Sequence, residues 1–505
     1  MTHLSELVTL AGPNLVFPQH DPLDHSIAGL YQYLVRQGQT ATYAGAAAAV
    51  DLDYTSPAFR RLEHELKLRL LAAITMPTGE GRAGLDRQHR FLYVWKIIAL
   101  AKQLRTSTST KLLLPYLEEA YRISEELELV EAAFLVATML RRQYTNRRFD
   151  ADKYSFYRDR AAHYRTLSRA HEDAVADLNE VYYLRNTGAP NESVIDFARR
   201  AFARHAHLVE AYDLTMISYI VFLLELNPPL LQNDYDQVIA VARRALHYLE
   251  ERQQVLPTMF QAFESNLTVA YTQRNDYENG MRYARRLLRR TRPEEFNYVK
   301  VYELMMVLSL RAGKFQDSYR LYREIDPELT TRSLNAYYQE TFRIIEAYLY
   351  VLVNLGEVTP DPDDETFARF RVKRFLNSFE HAVAEKGSRH VHLLLIELID
   401  RLLHRQHQRT TLSVEAVNKY VQRHLRGRGT ERLRYFLKAL TQLSEQRYHR
   451  TAVARHGARF IKQLQRYPLE ESKLDYYMEL IPYDMLWELL IRQLKNERVR
   501  GRRRR

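Results

Sequence analysis

The chain has 505 residues, 46% of them apolar, which excludes wholesale disorder and permits a large buried core. It contains 16 Gly, 16 Pro and no Cys, a composition that disfavours turn-rich sheets, favours helices and excludes disulfide bonds and thiolate metal sites. The net charge is +12, but residues 366–505 hold 31 basic and 14 acidic side chains, leaving 43 basic and 48 acidic ones in the rest. The basic last third indicates either an anionic partner or a solvated, disordered tail.

The first region, residues 1–85, is predicted to be helical. In "SPAFRRLEHELKLRLLAAI", Ser56 is placed to cap a helix and Pro57 to begin it. The short Ala-rich helix before it makes the pair similar to a helix-turn-helix, although "DLDYTSP" is longer than the usual turn, and ordinary helix packing is the alternative. The side chains that would face DNA are Arg60, Arg61 and His64.

The N-terminal residues have neither a basic start nor a long apolar run, and the other apolar stretches are too short to span a bilayer. We therefore expect no secretory signal, no membrane partner and a cytoplasmic location. The next segment, residues 77–88, spells GxGxxG with Gly79, Gly81 and Gly84. That motif binds dinucleotides between a strand and a helix, whereas the preceding residues read as helix, so we expect a linker and no cofactor.

A short motif, Ala-Arg-Arg, recurs through the middle of the chain. Its copies begin at Ala198, Ala242 and Ala284, with a degenerate fourth at Tyr322, and the spacings are 44, 42 and 38 residues. Self-similarity at such a period predicts stacked helix pairs. On the helix of the third copy, apolar residues share one face, so its arginines are predicted to lie on a solvated flank.

The second, third and fourth copies each follow a turn and then an aromatic residue, which is Tyr235, Tyr277 or Phe315. Asn and Asp in these turns are predicted to cap the following helix, and Gly313 to end the preceding one in a left-handed conformation. The small residue three positions after the aromatic, Gly280 in one copy, is predicted to let two backbones approach closely.

These features resemble the tetratricopeptide (TPR) repeat family over about residues 180–330. The positions that match the signature are Tyr271, Tyr277, Gly280, Ala284, Leu287 and Pro293 in one copy and Gly313, Phe315, Ser318 and Tyr322 in the next. The period is longer than the usual 34 residues and the signature Trp is absent. The resemblance implies an all-α, right-handed solenoid over residues 86–365, with helical extensions at 1–85 and 366–505 and a disordered Arg tail.

In TPR proteins the first helices of the pairs line a concave groove that binds a protein or peptide. The groove positions implied here are Ala262, Ser265, Thr272, Gln273, Lys300, Glu303 and Arg311. Their mixed chemistry suits a peptide better than a phosphate backbone, which favours a continuous basic stripe.

In the basic third, "HLRGRGTERLRYFLKAL" places arginines beside Tyr435 and Phe436, as a single-stranded nucleic-acid site would, although these aromatics also fit a buried helical face. With the Arg tail, the predicted contacts are Arg423, Arg426, Arg428, Arg432, Arg502 and Arg503. The histidines of this region lack partners at metal-ligand spacing and are expected at the surface, without a metal. They are His390, His392, His404 and His407.

No phosphate loop, HExxH motif or nucleophile elbow occurs in the sequence. We therefore expect a protein that is not an enzyme: a helical-repeat scaffold for a protein or peptide partner. The alternative is a nucleic-acid-binding regulator that uses the basic third or the N-terminal helix pair, with the repeats as sensor.

Overall fold

A computed structural model describes residues 2–11, 22–75, 83–104, 113–146, 149–253, 255–293, 295–332, 336–379, 388–424, 430–469 and 479–495. Helices and turns account for these residues, with no β-strand among them, and the predicted all-α class is confirmed. The chain divides into two compact units, Met1–Arg169 and Ala170–Arg505. The sequence-based boundaries near residues 85 and 365 stay predictions.

The first unit is built from helices that pack mainly on their neighbours in the chain. They are α1 (Thr2–Ala11), α2 (Pro22–Gln37), α3 (Tyr43–Ala48), α4 (Pro57–Thr75), α5 (Ala83–Gln103), α6 (Leu114–Glu126), α7 (Val130–Asn146) and α8 (Ala151–Asn186), which continues past the division at Arg169. Leucines at helical spacing on α2 and α4 form a buried core with α1. The predicted cap is confirmed, because the backbone N–H of Phe59 donates to Ser56 Oγ at 3.1 Å.

The second unit continues from the end of α8. Its helices are α9 (Asn191–His205), α10 (Leu208–Tyr212), α11 (Thr215–Gln232), α12 (Tyr235–Glu250), α13 (Pro257–Gln273), α14 (Tyr277–Arg290), α15 (Phe296–Arg311), α16 (Phe315–Glu324), α17 (Pro327–Arg332), α18 (Ala336–Leu355), α19 (Thr366–Arg369), α20 (Val372–Leu376), α21 (Ser388–Leu403), α22 (His407–His424), α23 (Glu431–Glu445), α24 (Arg450–Leu464) and α25 (Tyr483–Arg492). From α11 to α16, and again from α21 to α24, each helix packs against the next. Sequential helix-pair packing is therefore the rule in this unit.

Three turns of this unit repeat one backbone geometry. Asn233, Asn275 and Gly313 end α11, α13 and α15 with φ angles of 54°, 53° and 70°. In each turn the next N–H donates to the carbonyl oxygen five residues earlier, at 2.9, 2.9 and 2.8 Å. Asp234 and Asp276 then cap the following helices, each accepting a backbone N–H at 3.1 Å. The predicted caps are confirmed for the two Asp residues and the predicted left-handed conformation for Gly313, whereas Asn233 and Asn275 end the preceding helices instead of capping the next ones.

The Ala-Arg-Arg motifs occupy equivalent places. Ala242 and Ala284 each lie seven residues after the first residue of their helix, α12 or α14, and both are fully buried. In these two copies the second arginine pairs with a carboxylate of the preceding helix. Arg244 contacts Glu225 on α11, and Arg286 Nε lies 2.9 Å from Glu264 Oε1 on α13. Arg200 of the first copy instead pairs with Asp196 of its own helix, so the motif joins the two helices of a pair in the second and third copies.

The last helix, α25, departs from the sequential order. Arg492 Nη1 donates to Glu357 Oε1 at 2.9 Å, just beyond the end of α18. The Met485 side chain of α25 lies against Gly313 at the start of α16. Buried apolar side chains between Met281 and Leu494 belong to one core, so the chain returns on itself within this unit.

Helix α15 lies inside this core. Every residue from Val301 to Arg311 is buried, including the charged side chains of Glu303 and Arg311. A helix covered on all sides is typical of a central element rather than of a surface helix. Even so, no helix in the described ranges combines the length and apolar character needed to cross a membrane.

Candidate partner-binding cleft

The structure places the predicted groove residues of α13 in two environments. Ala262 and Ser265 are partly exposed. Thr272 and Gln273 are buried, with 0% and 3% of their surfaces exposed, and the Thr272 hydroxyl donates to the carbonyl oxygen of Thr268 at 2.8 Å. The resemblance placed all four on an accessible face, whereas packing of the neighbouring helices covers the C-terminal turn of α13. The partner-binding role of this set stays a prediction.

The predicted groove residues of α15 are also less accessible than the resemblance implies. Glu303 and Arg311 are 0% and 1% exposed, so neither reaches a surface. Lys300 is half-buried; its Nζ lies 2.7 Å from Glu303 Oε1 and 5.0 Å from the centre of the Tyr338 ring. The physical reason is that α18 and the returning C-terminal helices complete a core around α15, which an open stack would leave accessible on one side.

The predicted nucleic-acid residue Arg432 lies inside the protein. Its Nε and Nη2 donate to the two carboxylate oxygens of Glu479 at 2.9 and 2.7 Å, and its Nη1 donates to the Tyr467 carbonyl oxygen at 2.9 Å. The side chain is 7% exposed, so a phosphate contact through it conflicts with the structure. A bidentate buried pair of this kind is structural. Asp484 adds a second acidic neighbour at 3.3 Å.

The remaining predicted contacts are only partly described. Arg423 is exposed on α22. Arg426, Arg428, Arg502 and Arg503 lie outside the described residues. On α4, the side chains proposed to face DNA are all exposed, and the DNA role stays a prediction; they are Arg60, Arg61 and His64.

The structure describes only part of the GxGxxG segment, together with the four histidines of the basic third. Gly79 and Gly81 lie outside the described residues, and Gly84 lies in α5. His392 is buried, contrary to the expectation of a surface position, and its Nδ1 lies 2.8 Å from the Tyr348 hydroxyl. The other three differ in environment: His390 and His407 pack on aromatic rings, and His404 is exposed. Over the described ranges, no three His, Asp or Glu side chains converge as metal ligands would.

An open cleft of about 430 Å³ lies between α16, α17 and α18. Gln339, Phe342, Arg343 and Glu346 enter it from one face of α18, because they are spaced three, one and three residues apart. The opposite wall combines Tyr322, Ile325 and Pro327 with the polar residues Arg323, Thr330 and Thr366. The cleft therefore has apolar and charged side chains on both sides.

The arginines of the cleft already have acceptors. Arg323 Nη2 lies 3.1 Å from Asp363 Oδ2, with Asp361 and Asp364 nearby. Arg343 Nη1 donates to the carbonyl oxygen of Ser378 at 3.0 Å. Both guanidinium groups therefore already bind the segments next to the cleft.

Glu346 differs from the two arginines of the cleft. It is half-buried, and within the described part of the chain its carboxylate has no hydrogen-bond or ion-pair partner. Burial raises the pKa of Glu346; the charge of Arg343 opposes the rise, and Asp364 adds to it. Burial, reinforced by the Glu346 charge, likewise raises the pKa of the Tyr322 hydroxyl across the cleft. A half-buried carboxylate of this kind would be stabilised by a hydrogen-bond donor or a cation that enters the cleft.

The sequence contains a signal for this cleft that the repeat pattern did not reveal. Glu346 is the single charged residue in the run "IIEAYLYVLVNL", so it interrupts an otherwise apolar helix. A lone carboxylate in such a run needs a partner, access to solvent or a ligand.

Comparisons of the chain with known protein families, with curated proteins and with solved structures find no match.

Proposed function

We propose that this protein is a non-catalytic, TPR-like helical-repeat scaffold that binds a peptide segment of a partner protein. The repeated Asn-Asp turns and the equivalent positions of Ala242 and Ala284 support the repeat assignment. Stacked helix pairs offer a preformed surface, so a peptide binds with little ordering of the receptor. A right-handed solenoid with a concave groove is the geometry that this assignment implies.

The contact point that we propose is the cleft at Glu346, rather than the groove positions that are buried. The observation that carries it is a half-buried carboxylate that has no hydrogen-bond or ion-pair partner among the described residues, near the apolar side chains of Ile325 and Phe342. A Lys or Arg side chain fits this arrangement, since its aliphatic stem can lie on these apolar side chains while its charged end meets Glu346. The Tyr322 hydroxyl is a further polar group within the cleft.

Selection of a displayed random peptide library on the full-length chain tests this proposal. Enriched peptides should share a basic residue flanked by apolar ones, and Glu346→Gln should weaken them about tenfold or more, as loss of a charge-assisted hydrogen bond does. Glu415→Gln is the matched control, because Glu415 is exposed on α22. Failure to enrich any peptide, or equal affinity for Glu346→Gln, would contradict the proposal.

A further inference from the structure

A row of basic side chains runs along one exposed face of α24 and the turn after it. Arg455, Arg459, Lys462 and Arg466 follow one another at intervals of four, three and four residues, and all four are exposed. Helical spacing of this kind places them on one side, with about 10 Å of rise from Arg455 to Lys462. We call these four residues the α24 ridge.

The α24 ridge lies in a stretch of sequence that is rich in basic residues. Residues 446–469 contain six Lys or Arg and no Asp or Glu. Among the described residues no ion pair involves a ridge residue; Arg455 and Arg466 contact His456 and Gln463, and Arg459 lies over the ring of Phe460. Like charges one turn apart repel each other, so the folded helix carries a repulsion that a bound anion would relieve.

An exposed aromatic ring stands at the end of the α24 ridge. Tyr467 is 42% exposed and stacks on Tyr435 with ring centres 5.9 Å apart. Its carbonyl oxygen accepts a hydrogen bond from the buried Arg432, which fixes the backbone at this point. Phe436, which follows Tyr435 in the sequence, is fully buried against Tyr483 and takes no part in this exposed stack.

A row of cations that ends at a braced, accessible ring matches what single-stranded nucleic acid requires. The cations follow the phosphates, while a base stacks on the ring. We propose that the α24 ridge and Tyr467 form a binding site for single-stranded nucleic acid. Arg432, which was predicted to contact phosphate, supports this site from inside by holding the Tyr467 backbone.

The site predicts two separable effects on affinity. Replacing all four ridge residues by Gln should weaken binding of a fluorescein-labelled oligothymidylate of about 15 nucleotides roughly tenfold or more at low salt. The slope of log affinity against log salt should become shallower by about 2.8, at about 0.7 for each phosphate that the variant no longer neutralises. Tyr467→Ala should weaken binding about tenfold without changing that slope, because it removes stacking and no charge.

The full-length chain offers a control of equal charge. Arg243, Arg282, Arg285 and Arg289 are exposed on α12 and α14, and replacing them by Gln also removes four positive charges. That variant should retain affinity and slope, and melting temperatures should confirm that all variants fold. An equal loss in the control variant would overturn the proposal, since net charge alone would explain it. Tighter binding of the matching duplex, with no effect of Tyr467→Ala, would overturn the assignment to single strands. Neither result bears on Glu346.

Discussion

The indole ring of Trp487 fills the space that a side chain on Gly457 would occupy. A β-carbon built on Gly457 would lie 2.2 Å from Cζ2 and 2.8 Å from Cη2 of Trp487. Both residues are buried, and the contact joins α24 to the returning helix α25. The close approach of these two helices therefore depends on the absence of a side chain at residue 457.

Gly457→Ala should lower the free energy of unfolding by about 1–3 kcal/mol, because the rigid indole ring must move to admit the methyl group. Urea denaturation measures the change. Gly29→Ala is the control: Gly29 also lies within a helix, but its β-carbon would meet Val50 Cγ1 at 3.5 Å, an ordinary contact. There the better helix propensity of Ala should leave stability unchanged or raised.

The same contact can be isolated with a double-mutant cycle. In a Trp487→Leu background the ring is gone, so Gly457→Ala should cost nothing or stabilise the helix. The destabilisation caused by the first substitution alone should thus disappear. An undiminished cost in this background would show that the strain lies elsewhere.

A second close approach tests the helix pairing at the third repeat. Gly280→Leu should destabilise the protein by about 3 kcal/mol or more, since even a β-carbon at this position would lie 2.4 Å from Cδ2 of the fully buried Leu308. Glu278→Leu adds the same side chain at an exposed position of α14 and should change stability little. Similar midpoints in urea for these two variants would contradict the packing described for Gly280.

Local chemistry explains which features could be predicted from the sequence. The caps at Asp234 and Asp276 and the left-handed conformation of Gly313 were predictable because each depends on a few adjacent residues. The burial of Arg311 was not, because the core around α15 also includes side chains of α18 and α25, which lie far along the chain. A repeat pattern describes neighbouring helices and carries no information on a chain that returns.

The cleft and the buried pair of Arg432 likewise depend on residues that lie far apart in the sequence. Arg432 and Glu479 are 47 residues apart, and nothing near Arg432 in the sequence distinguishes it from the exposed Arg423. Glu346, by contrast, can be recognised in the sequence as a single charged residue inside an apolar run. Its meaning depends on Tyr322 and Ile325, whose position across the cleft is set by the fold of α16.

Arg432 provides a third prediction. Arg432→Met should lower the free energy of unfolding by about 3–5 kcal/mol, because Glu479 would remain as a buried carboxylate without its partner. Arg423→Met is the control, since Arg423 is exposed on α22 and its loss should change stability by less than about 0.5 kcal/mol. Chemical denaturation of both variants measures the difference. Unchanged stability of Arg432→Met would mean that the pair with Glu479 does not form.

The pH dependence of Glu346 provides the last prediction. Burial raises its pKa in the folded state, so the folded protein binds this proton more tightly than the unfolded chain does. As pH rises from the unfolded pKa of about 4.3 through the raised folded pKa, the wild type should lose stability at this residue. Glu346→Gln has no proton to release and should lack that loss, so it should gain in unfolding free energy relative to the wild type between pH 4 and pH 8. Binding of a cationic peptide should follow the opposite course in the wild type, since affinity appears as Glu346 ionises. A stability difference between wild type and variant that does not change with pH would show that Glu346 is already ionised and solvated, and it would remove the reason for placing a cation in this cleft.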